Sequence, residues 1–152
     1  MKIIFLDIDG VISTPDCVPI TDGKYYALNR ECIKVLNEVM EKTGARLVLS
    51  SSWKHLGLDP VNDHLIKYGV REKCIDKTPG VPENFHVQRG DEIAKWLINT
   101  KEKIESFVIL DDDSDMCGLF SRLVQIDRAY GLQSKYVERI LELLNTPVIG
   151  YP

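Results

Sequence analysis

The chain has 152 residues, of which 44% are hydrophobic and 28% are charged, and this balance is typical of one globular domain over residues 1–152. The net charge of −4 excludes a uniformly basic surface for nucleic acid, but not a local one. No apolar run approaches the roughly 18 residues of a membrane span, and no basic-then-apolar leader precedes the first predicted strand. We therefore expect a cytoplasmic protein with no membrane partner.

The first predicted element is an apolar run from residue 3 that ends in Asp7, Asp9 and Gly10. A short run of β-forming residues bounded by a glycine predicts a buried strand. Two acids at its carboxyl end would lie where open α/β sheets bind their ligands, and a divalent cation would most simply offset their repulsion. The alternative is a surface turn in which Asp7 or Asp9 caps the following segment.

Helical and strand patterns alternate along the rest of the chain. Asn29 can cap a helix with apolar residues at helical spacing, and Gly44 can end it. The later predicted elements are a strand over 45–49, a weaker helix over 61–68, a short strand at 73–75, a loop over 78–87, a helix over 91–100, strands over 106–110 and 123–126, and a helix over 137–144. This order predicts an α/β fold with a mainly parallel sheet and helices on both faces.

Polar side chains follow three of the predicted strands. Asp7 and Asp9 follow the first, Ser50 follows the second, and Asp111 begins the acidic run 111–115 after the third. Because the carboxyl ends of parallel strands lie at one edge of a sheet, we expect these side chains to converge. A purely structural explanation would leave several carboxylates crowded at that edge without a partner.

These motifs resemble those of the haloacid dehalogenase (HAD) superfamily of phosphotransferases, in the same order. The D-x-D strand corresponds to residues 5–11, the strand ending in Ser or Thr to 47–50, the basic residue to Arg89, and the strand ending in paired acids to 108–112. The resemblance implies a Rossmann-like, three-layer sandwich. Residues 50–54, 89–97 and 110–112 resemble, more narrowly, the HAD branch found in Swiss Army Knife RNA repair proteins.

The resemblance implies a Mg²⁺-dependent phosphomonoester hydrolase. Asp7 would be the nucleophile that forms an aspartyl-phosphate, and Asp9 would protonate the leaving oxygen and then deprotonate the attacking water. An acid at position 9 favours phosphate-ester hydrolysis, because the dehalogenases of the superfamily lack it. The implied metal ligands are the carboxylate of Asp7, the backbone carbonyl of Asp9, and the carboxylates of Asp111 and Asp112.

The acidic run after the third strand can be aligned with the fourth motif in two ways. Family members often place another acid four residues after the metal-binding acid of the pair. Counting from Asp112 leads to Met116, which cannot serve, whereas counting from Asp111 leads to Asp115. Asp111 is therefore the favoured direct ligand, and Asp112 and Asp115 are expected to support it.

The phosphoryl group would need a hydrogen-bond donor and a cation. Ser50 is the predicted donor, with Ser51 as the rival if the strand is one residue longer; the structural alternative is a turn at the strand end. Arg89 is the preferred cation, against the alternative of a solvated residue at a helix start. Lys77 is the runner-up for this cation and Lys54 is a third candidate, and both are predicted substrate contacts together with Gly10.

Many HAD members carry a cap domain after the first or second motif. Residues 13–28 are too few for one, and the stretch between Trp53 and Arg89 allows only a helix and loops, so we predict no large cap and an open site. Open sites suit bulky phosphorylated substrates, such as a nucleotide or an RNA or DNA end. Candidates for stacking on a base are Tyr25, Tyr26, Trp53 and His55.

Two other functions compete with the phosphatase. A receiver-like signalling module also places acids and a hydroxyl around Mg²⁺, but its paired acids open the chain, whereas here they come late. A non-catalytic phosphate- or metal-binding module is the other alternative.

His64 is a lone histidine in a helical pattern, which is typical of a surface residue. The oligomeric state cannot be read from the sequence.

Overall fold

The computed structural model describes residues 1–22, 25–80 and 87–149. The strands are β1 (Lys2–Leu6), β2 (Thr21–Asp22), β3 (Tyr25–Tyr26), β4 (Arg46–Leu49), β5 (Asp76–Lys77), β6 (Ser106–Asp111) and β7 (Leu123–Gln125). The α-helices are α1 (Arg30–Thr43), α2 (Leu58–Lys67), α3 (Arg89–Asn99) and α4 (Val137–Leu144). Short 3₁₀ helices cover Ser52–Leu56, Cys117–Arg122 and Ser134–Tyr136.

Five strands form a parallel sheet in the order β5-β4-β1-β6-β7, and β2 pairs with β3 as a separate antiparallel ribbon. Successive side chains of β1 point to opposite faces of this sheet. Ile4 and Leu6 pack with apolar residues of α1, α2 and α4, whereas Ile3 and Phe5 pack with those of α3. The predicted Rossmann-like, three-layer fold is therefore confirmed.

The predicted ends of α1 agree with the structure. The side-chain oxygen of Asn29 accepts hydrogen bonds from the backbone amides of Glu31 (3.0 Å) and Cys32 (3.2 Å). Gly44 ends the helix with a φ of 70°, in the left-handed region that favours glycine. Local capping chemistry is sufficient to place this helix correctly.

Several predicted boundaries differ from the structure, and the helix predicted over 61–68 is α2 (Leu58–Lys67). The short strand predicted at 73–75 lies instead at Asp76–Lys77, and α3 begins two residues before 91. The latter shift arises because the Asp91 carboxylate reaches back to the amide of Gln88 (3.1 Å), so Asp91 stabilises a first turn that has already begun. Of the loop predicted over 78–87, residues 81–86 lie outside the described residues.

No large cap domain interrupts the part of the chain that the structure describes. Between β1 and α1 lie turns and the β2–β3 ribbon, and between β4 and α3 the described residues form a 3₁₀ helix, α2 and β5. The ribbon is not predictable from the sequence, because two-residue strands carry no periodicity. Among the described helices, none has both the length and the apolar character needed to cross a membrane.

Candidate active site

The carboxyl ends of three strands meet at one edge of the sheet. Leu6 of β1 is in register with Leu49 of β4 and Leu110 of β6. Beyond these pairs the backbone amide of Asp7 donates to the Leu110 carbonyl, and that of Ser50 donates to the Leu6 carbonyl. The N···O distance is 3.0 Å in both hydrogen bonds. The sheet therefore brings Asp7, Ser50 and Asp111 together, as the order of the strands predicts.

Three carboxylates form a cluster at this edge. Each of Asp7, Asp111 and Asp112 offers an oxygen atom, and these three atoms all lie within 4.8 Å of one another. Asp7 and Asp111 are buried, and Asp112 is partly exposed. Such a set of oxygen ligands fits a hard divalent cation such as Mg²⁺.

The backbone of Gly10 makes room for Asp112. Gly10 has a φ of 79°, and a Cβ atom at this position would lie 2.5 Å from Oδ2 of Asp112. Both the conformation and the space therefore require glycine. The predicted role of Gly10 as a substrate contact stays a prediction, whereas its contact with Asp112 is structural.

Burial and mutual repulsion raise the pKa values of the clustered acids. The pKa of Asp7 rises to about 8, chiefly through burial and next through the charge of Asp111, although Arg89 opposes the shift. Burial also raises the pKa of Asp111 to about 6. The hydrogen bond from the Asp113 amide and the charge of Arg89 oppose this rise. Arg89 alone therefore does not compensate the negative charge that these carboxylates carry when ionised.

Arg89 is the cation that contacts the two buried acids of the cluster, whereas Nε of Arg128 lies 3.4 Å from Oδ2 of the partly exposed Asp112. Nη1 of Arg89 donates to Oδ1 of Asp7 (3.2 Å) and to Oδ2 of Asp111 (3.3 Å). Burial alone would lower the pKa of this guanidinium, but the charges of Asp7 and Asp111 raise it. Arg89 therefore stays charged beside the carboxylates of Asp7 and Asp111.

The first turn of α3 is fixed against the segment that follows β6. Oδ2 of Asp115 accepts from the backbone amide of Arg89 (3.1 Å), and the Asp115 carbonyl accepts from the amide of Gly90 (3.0 Å). A Cβ atom on Gly90 would lie 2.2 Å from the Met116 carbonyl oxygen. Asp115 thus positions the helix that carries Arg89, and its carboxylate lies outside the three-acid cluster.

Asp9 lies beside the cluster and contacts a tryptophan. The carboxylate of Asp9 is not one of the three clustered acids, and its Oδ2 accepts a hydrogen bond from Nε1 of Trp53 over 3.2 Å. Burial raises the pKa of Asp9, and this hydrogen bond partly offsets the rise. Trp53 is predicted from the sequence as a stacking candidate, and its bond to Asp9 is a feature of the tertiary structure that the sequence does not reveal.

An aromatic cluster holds Trp53 in place. Its ring centroid lies 5.5 Å from that of Tyr25 and 5.9 Å from that of His64. Nε2 of His64 lies 2.8 Å from the carbonyl oxygen of Tyr26. His64 is only 5% exposed, so the prediction that it is a surface residue is wrong, because the unpredicted β2–β3 ribbon packs against it.

The two serines after β4 have different environments. Oγ of Ser50 is buried and has no hydrogen-bond partner among the described residues. Oγ of Ser51 accepts from the backbone amide of Trp53 over 3.1 Å and caps the 3₁₀ helix Ser52–Leu56. An unsatisfied buried hydroxyl is unfavourable, and of the two serines it is Ser50 whose hydroxyl has no partner among the described residues.

The two predicted lysines are engaged with other partners. Lys54 is buried, and its Nζ contacts Oε2 of Glu92 (2.6 Å) and Oγ1 of Thr78 (3.3 Å). Burial lowers the pKa of Lys54, and Glu92 opposes this shift. Lys77 donates from Nζ to the carbonyl oxygen of Lys54 over 3.2 Å. Glu92, which the sequence analysis does not single out, also lies 3.8 Å from Nε of Arg89 and so connects Lys54 to the site.

Comparison with known proteins gives one match. The family described as the HAD domain in Swiss Army Knife RNA repair proteins matches residues 3–137. No curated protein and no solved structure matches the chain. The matched region includes β1 from Ile3 onward, β4 and β6, and all the motif residues at their carboxyl ends. The chain therefore belongs to the family of HAD domains found in Swiss Army Knife RNA repair proteins.

Proposed function

We propose that the protein is a Mg²⁺-dependent phosphomonoester hydrolase that acts through an aspartyl-phosphate on Asp7. The observation that carries this proposal is the contact between buried Asp7 and the guanidinium of Arg89, next to two further acids and the unpartnered hydroxyl of Ser50. A nucleophile, a cation for the phosphoryl oxygens and a hydrogen-bond donor are the groups that phosphoryl transfer requires.

The clustered acids would hold the metal ion. Asp7, Asp111 and Asp112 supply its carboxylate ligands, and we keep the backbone carbonyl of Asp9 as the fourth. Bound Mg²⁺ would offset the negative charge of the acids and of the phosphoryl group. The raised pKa values of Asp7 and Asp111 are consistent with this assignment, because they arise chiefly from burial and next from neighbouring acids, and Arg89 offsets them only in part.

Two carboxylates would perform the covalent steps. An oxygen of Asp7 attacks phosphorus, the bond from phosphorus to the leaving oxygen breaks, and Asp9 gives its proton to that oxygen. Asp9 then takes a proton from water, and the water oxygen attacks the aspartyl-phosphate. The bond between phosphorus and Asp7 breaks, inorganic phosphate leaves, and both carboxyl groups return to their starting states.

Arg89 and Ser50 would bind the phosphoryl oxygens during these steps. Nη1 of Arg89 already lies 3.2 Å from the attacking carboxylate, so a phosphoryl group beside Asp7 comes within its reach. Oγ of Ser50 can donate its proton without losing an existing bond. Donors that are fixed before the reaction favour the transition state, because they need no reorganisation.

We further propose that the substrate is a nucleotide or the phosphorylated end of a nucleic acid. The family name refers to RNA repair proteins, and no large cap covers the site among the described residues. An open site admits the end of a polymer. The chain's negative net charge implies that any contact with nucleic acid is local.

The test is phosphatase activity on 4-nitrophenyl phosphate with Mg²⁺ or with a chelator. We expect Mg²⁺-dependent turnover, and a hydroxylamine-sensitive phosphoryl group on Asp7 after acid quenching. Asp7→Asn should lower kcat by about 10³-fold or more, because the nucleophile is lost. Asp113→Asn is the matched control, since Asp113 is exposed on the same loop. Unchanged activity in Asp7→Asn would refute the mechanism, and metal binding without turnover would favour a non-catalytic module.

A further inference from the structure

A small cavity of about 250 Å³ opens beside the candidate active site, on the side of Asp9. The residues that line it include Asp9, Asp112, Pro15, Val18, Tyr26 and Arg128. Because Asp9 is the proposed proton donor to the leaving oxygen, a phosphate ester at Asp7 would direct its leaving group toward this cavity. The cavity is therefore placed to distinguish one phosphate ester from another.

One wall of the cavity is apolar and aromatic. It consists of Pro15, Val18 and Tyr26, and the last two are 42% and 40% exposed. Tyr26 lies in β3, and its carbonyl oxygen contacts Nε2 of buried His64 over 2.8 Å, which anchors the backbone behind the ring. An exposed aromatic ring on an anchored backbone suits a planar base better than a hydroxylated sugar.

The lining of the cavity also carries a positive charge, that of Arg128. The side chain of Arg128 is 68% exposed, and its Nε lies 3.4 Å from Oδ2 of Asp112. Exposed ion pairs of this kind are weak, so Arg128 can exchange Asp112 for another anion. The backbone below is a turn in which the amides of Ala129 and Gly131 donate to Asp127. A guanidinium at the mouth of an active site is suited to bidentate contact with a phosphate group.

We propose that this cavity binds the nucleoside next to the reacting phosphate, with its base on Tyr26 and the following phosphate group on Arg128. This inference rests on the proposed phosphatase function and extends it, because it assigns the substrate as the phosphorylated end of a di- or oligonucleotide. The cavity volume of about 250 Å³ is below the roughly 300–1,000 Å³ of ordinary small-molecule pockets. We therefore expect it to receive no more than one nucleoside, with the rest of the polymer in solvent.

The first test measures kcat/KM for dinucleotides that carry a terminal 5′- or 3′-phosphate. Each value is divided by kcat/KM for the mononucleotide that carries its phosphate at the same end. We expect the wild type to prefer the dinucleotide of at least one end by about tenfold, the effect of one charge-assisted contact. Arg128→Ala should bring this ratio close to one, and Arg128→Lys should keep part of it. Arg139→Ala is the matched control, because Arg139 is an exposed arginine of α4 that pairs with Glu142.

The second test concerns the aromatic wall. It compares kcat/KM for a mononucleotide with kcat/KM for glycerol 2-phosphate, which has no ring to stack. Tyr26→Leu should lower this ratio by about tenfold, in the range measured for stacking of one base on an aromatic side chain. Tyr26→Phe should preserve it, because the ring remains.

Calorimetric binding of the same nucleotides to the Asp7→Asn protein separates this inference from the proposed function. Arg128-dependent dinucleotide binding, together with no turnover of any phosphate by the wild type, would support the cavity assignment and contradict the phosphatase. Turnover of glycerol 2-phosphate with equal kcat/KM for dinucleotide and mononucleotide at both ends would overturn the cavity assignment and leave the phosphatase intact.

Discussion

The indole Nε1 of Trp53 donates a hydrogen bond to Oδ2 of Asp9 over 3.2 Å. Trp53 is 8% exposed and packs against the rings of Tyr25 and His64, so its N–H group has a fixed direction. This bond holds the carboxylate of the proposed general acid in one orientation. Asp9 follows β1 and Trp53 follows β4, so the parallel pairing of these strands creates the contact.

Trp53→Phe should weaken proton donation by Asp9, because phenylalanine keeps an aromatic ring but has no N–H group. We expect kcat to fall about tenfold for an alkyl phosphate, whose leaving oxygen needs a proton, since a hydrogen bond to a charged group contributes about 1.5 kcal/mol or more. For 4-nitrophenyl phosphate, whose leaving group departs as an anion, the fall should be smaller. Steady-state kinetics on both substrates provides the measurement.

Trp96→Phe is the control for this prediction. Nε1 of Trp96 donates to Oδ2 of Asp76 over 2.8 Å, on the α3 side of the sheet. Its substitution removes the same type of bond and should lower stability without changing the ratio of the two kcat values. Equal losses on both substrates in Trp53→Phe would show that Trp53 only maintains the fold.

The stability of the metal-free protein should depend on pH through Asp7. Its pKa is raised from 3.8 to about 8 in the folded state, so the folded protein holds a proton that the unfolded chain has released. The resulting stabilisation is fully present below about pH 4 and is lost as pH rises through about 8. In chelator, the free energy of unfolding of the wild type should therefore fall relative to that of Asp7→Asn across this interval. Urea unfolding at several pH values measures it, and parallel curves would contradict the prediction.

Mg²⁺ should stabilise the folded protein through the acidic cluster. At about 100 times its Kd the ion would contribute about 2.7 kcal/mol, which raises the Tm of a domain of this size by about 5–10 °C. Asp111→Asn should abolish most of this rise, because it removes a buried carboxylate that we propose as a metal ligand. Asp113→Asn should retain it. Thermal melts with Mg²⁺ and with chelator provide the measurement, and an equal rise in both variants would remove Asp111 from the ligand set.

Ser50→Ala should lower mainly activity, whereas Ser51→Ala should lower mainly stability. Ser50→Ala removes a buried hydroxyl that has no partner, so we expect little loss of stability but a fall in kcat/KM of about 10-fold or more. Ser51→Ala removes the cap on the Trp53 amide and should lower stability by about 1 kcal/mol. Chemical denaturation and kinetics on both variants distinguish the two serines, and a catalytic loss confined to Ser51→Ala would reverse the assignment.

Local chemistry explains why much of the fold could be predicted. Asn29 and Gly44 mark the ends of α1 through capping and a left-handed residue, and neither effect requires a distant partner. The two-residue strand β5 is placed three residues too early, because strands of that length carry no periodic signal. The β2–β3 ribbon is missed for the same reason, and the burial of His64 is missed with it.

The candidate site was only partly predictable. The sequence brings Asp7, Ser50 and Asp111 to one edge, since parallel strands end together. It cannot show which of the cations Arg89, Lys54 and Lys77 contacts Asp7, because the direction of a cationic side chain depends on the residues that pack around it in the fold. Arg89 is directed at Asp7 by the fixed start of α3, whereas Lys54 is held by Glu92.

The sequence by itself determined the α/β class, the strand ends that carry the acids and the family resemblance, because each of these depends on short-range pattern and on the order of motifs. Only the tertiary structure decided which groups touch: Trp53 with Asp9, Arg89 with Asp7 and Asp111, and Gly10 with Asp112. Those contacts join residues far apart in the chain. Their distances depend on how helices and turns pack against the sheet, and no local pattern records that geometry.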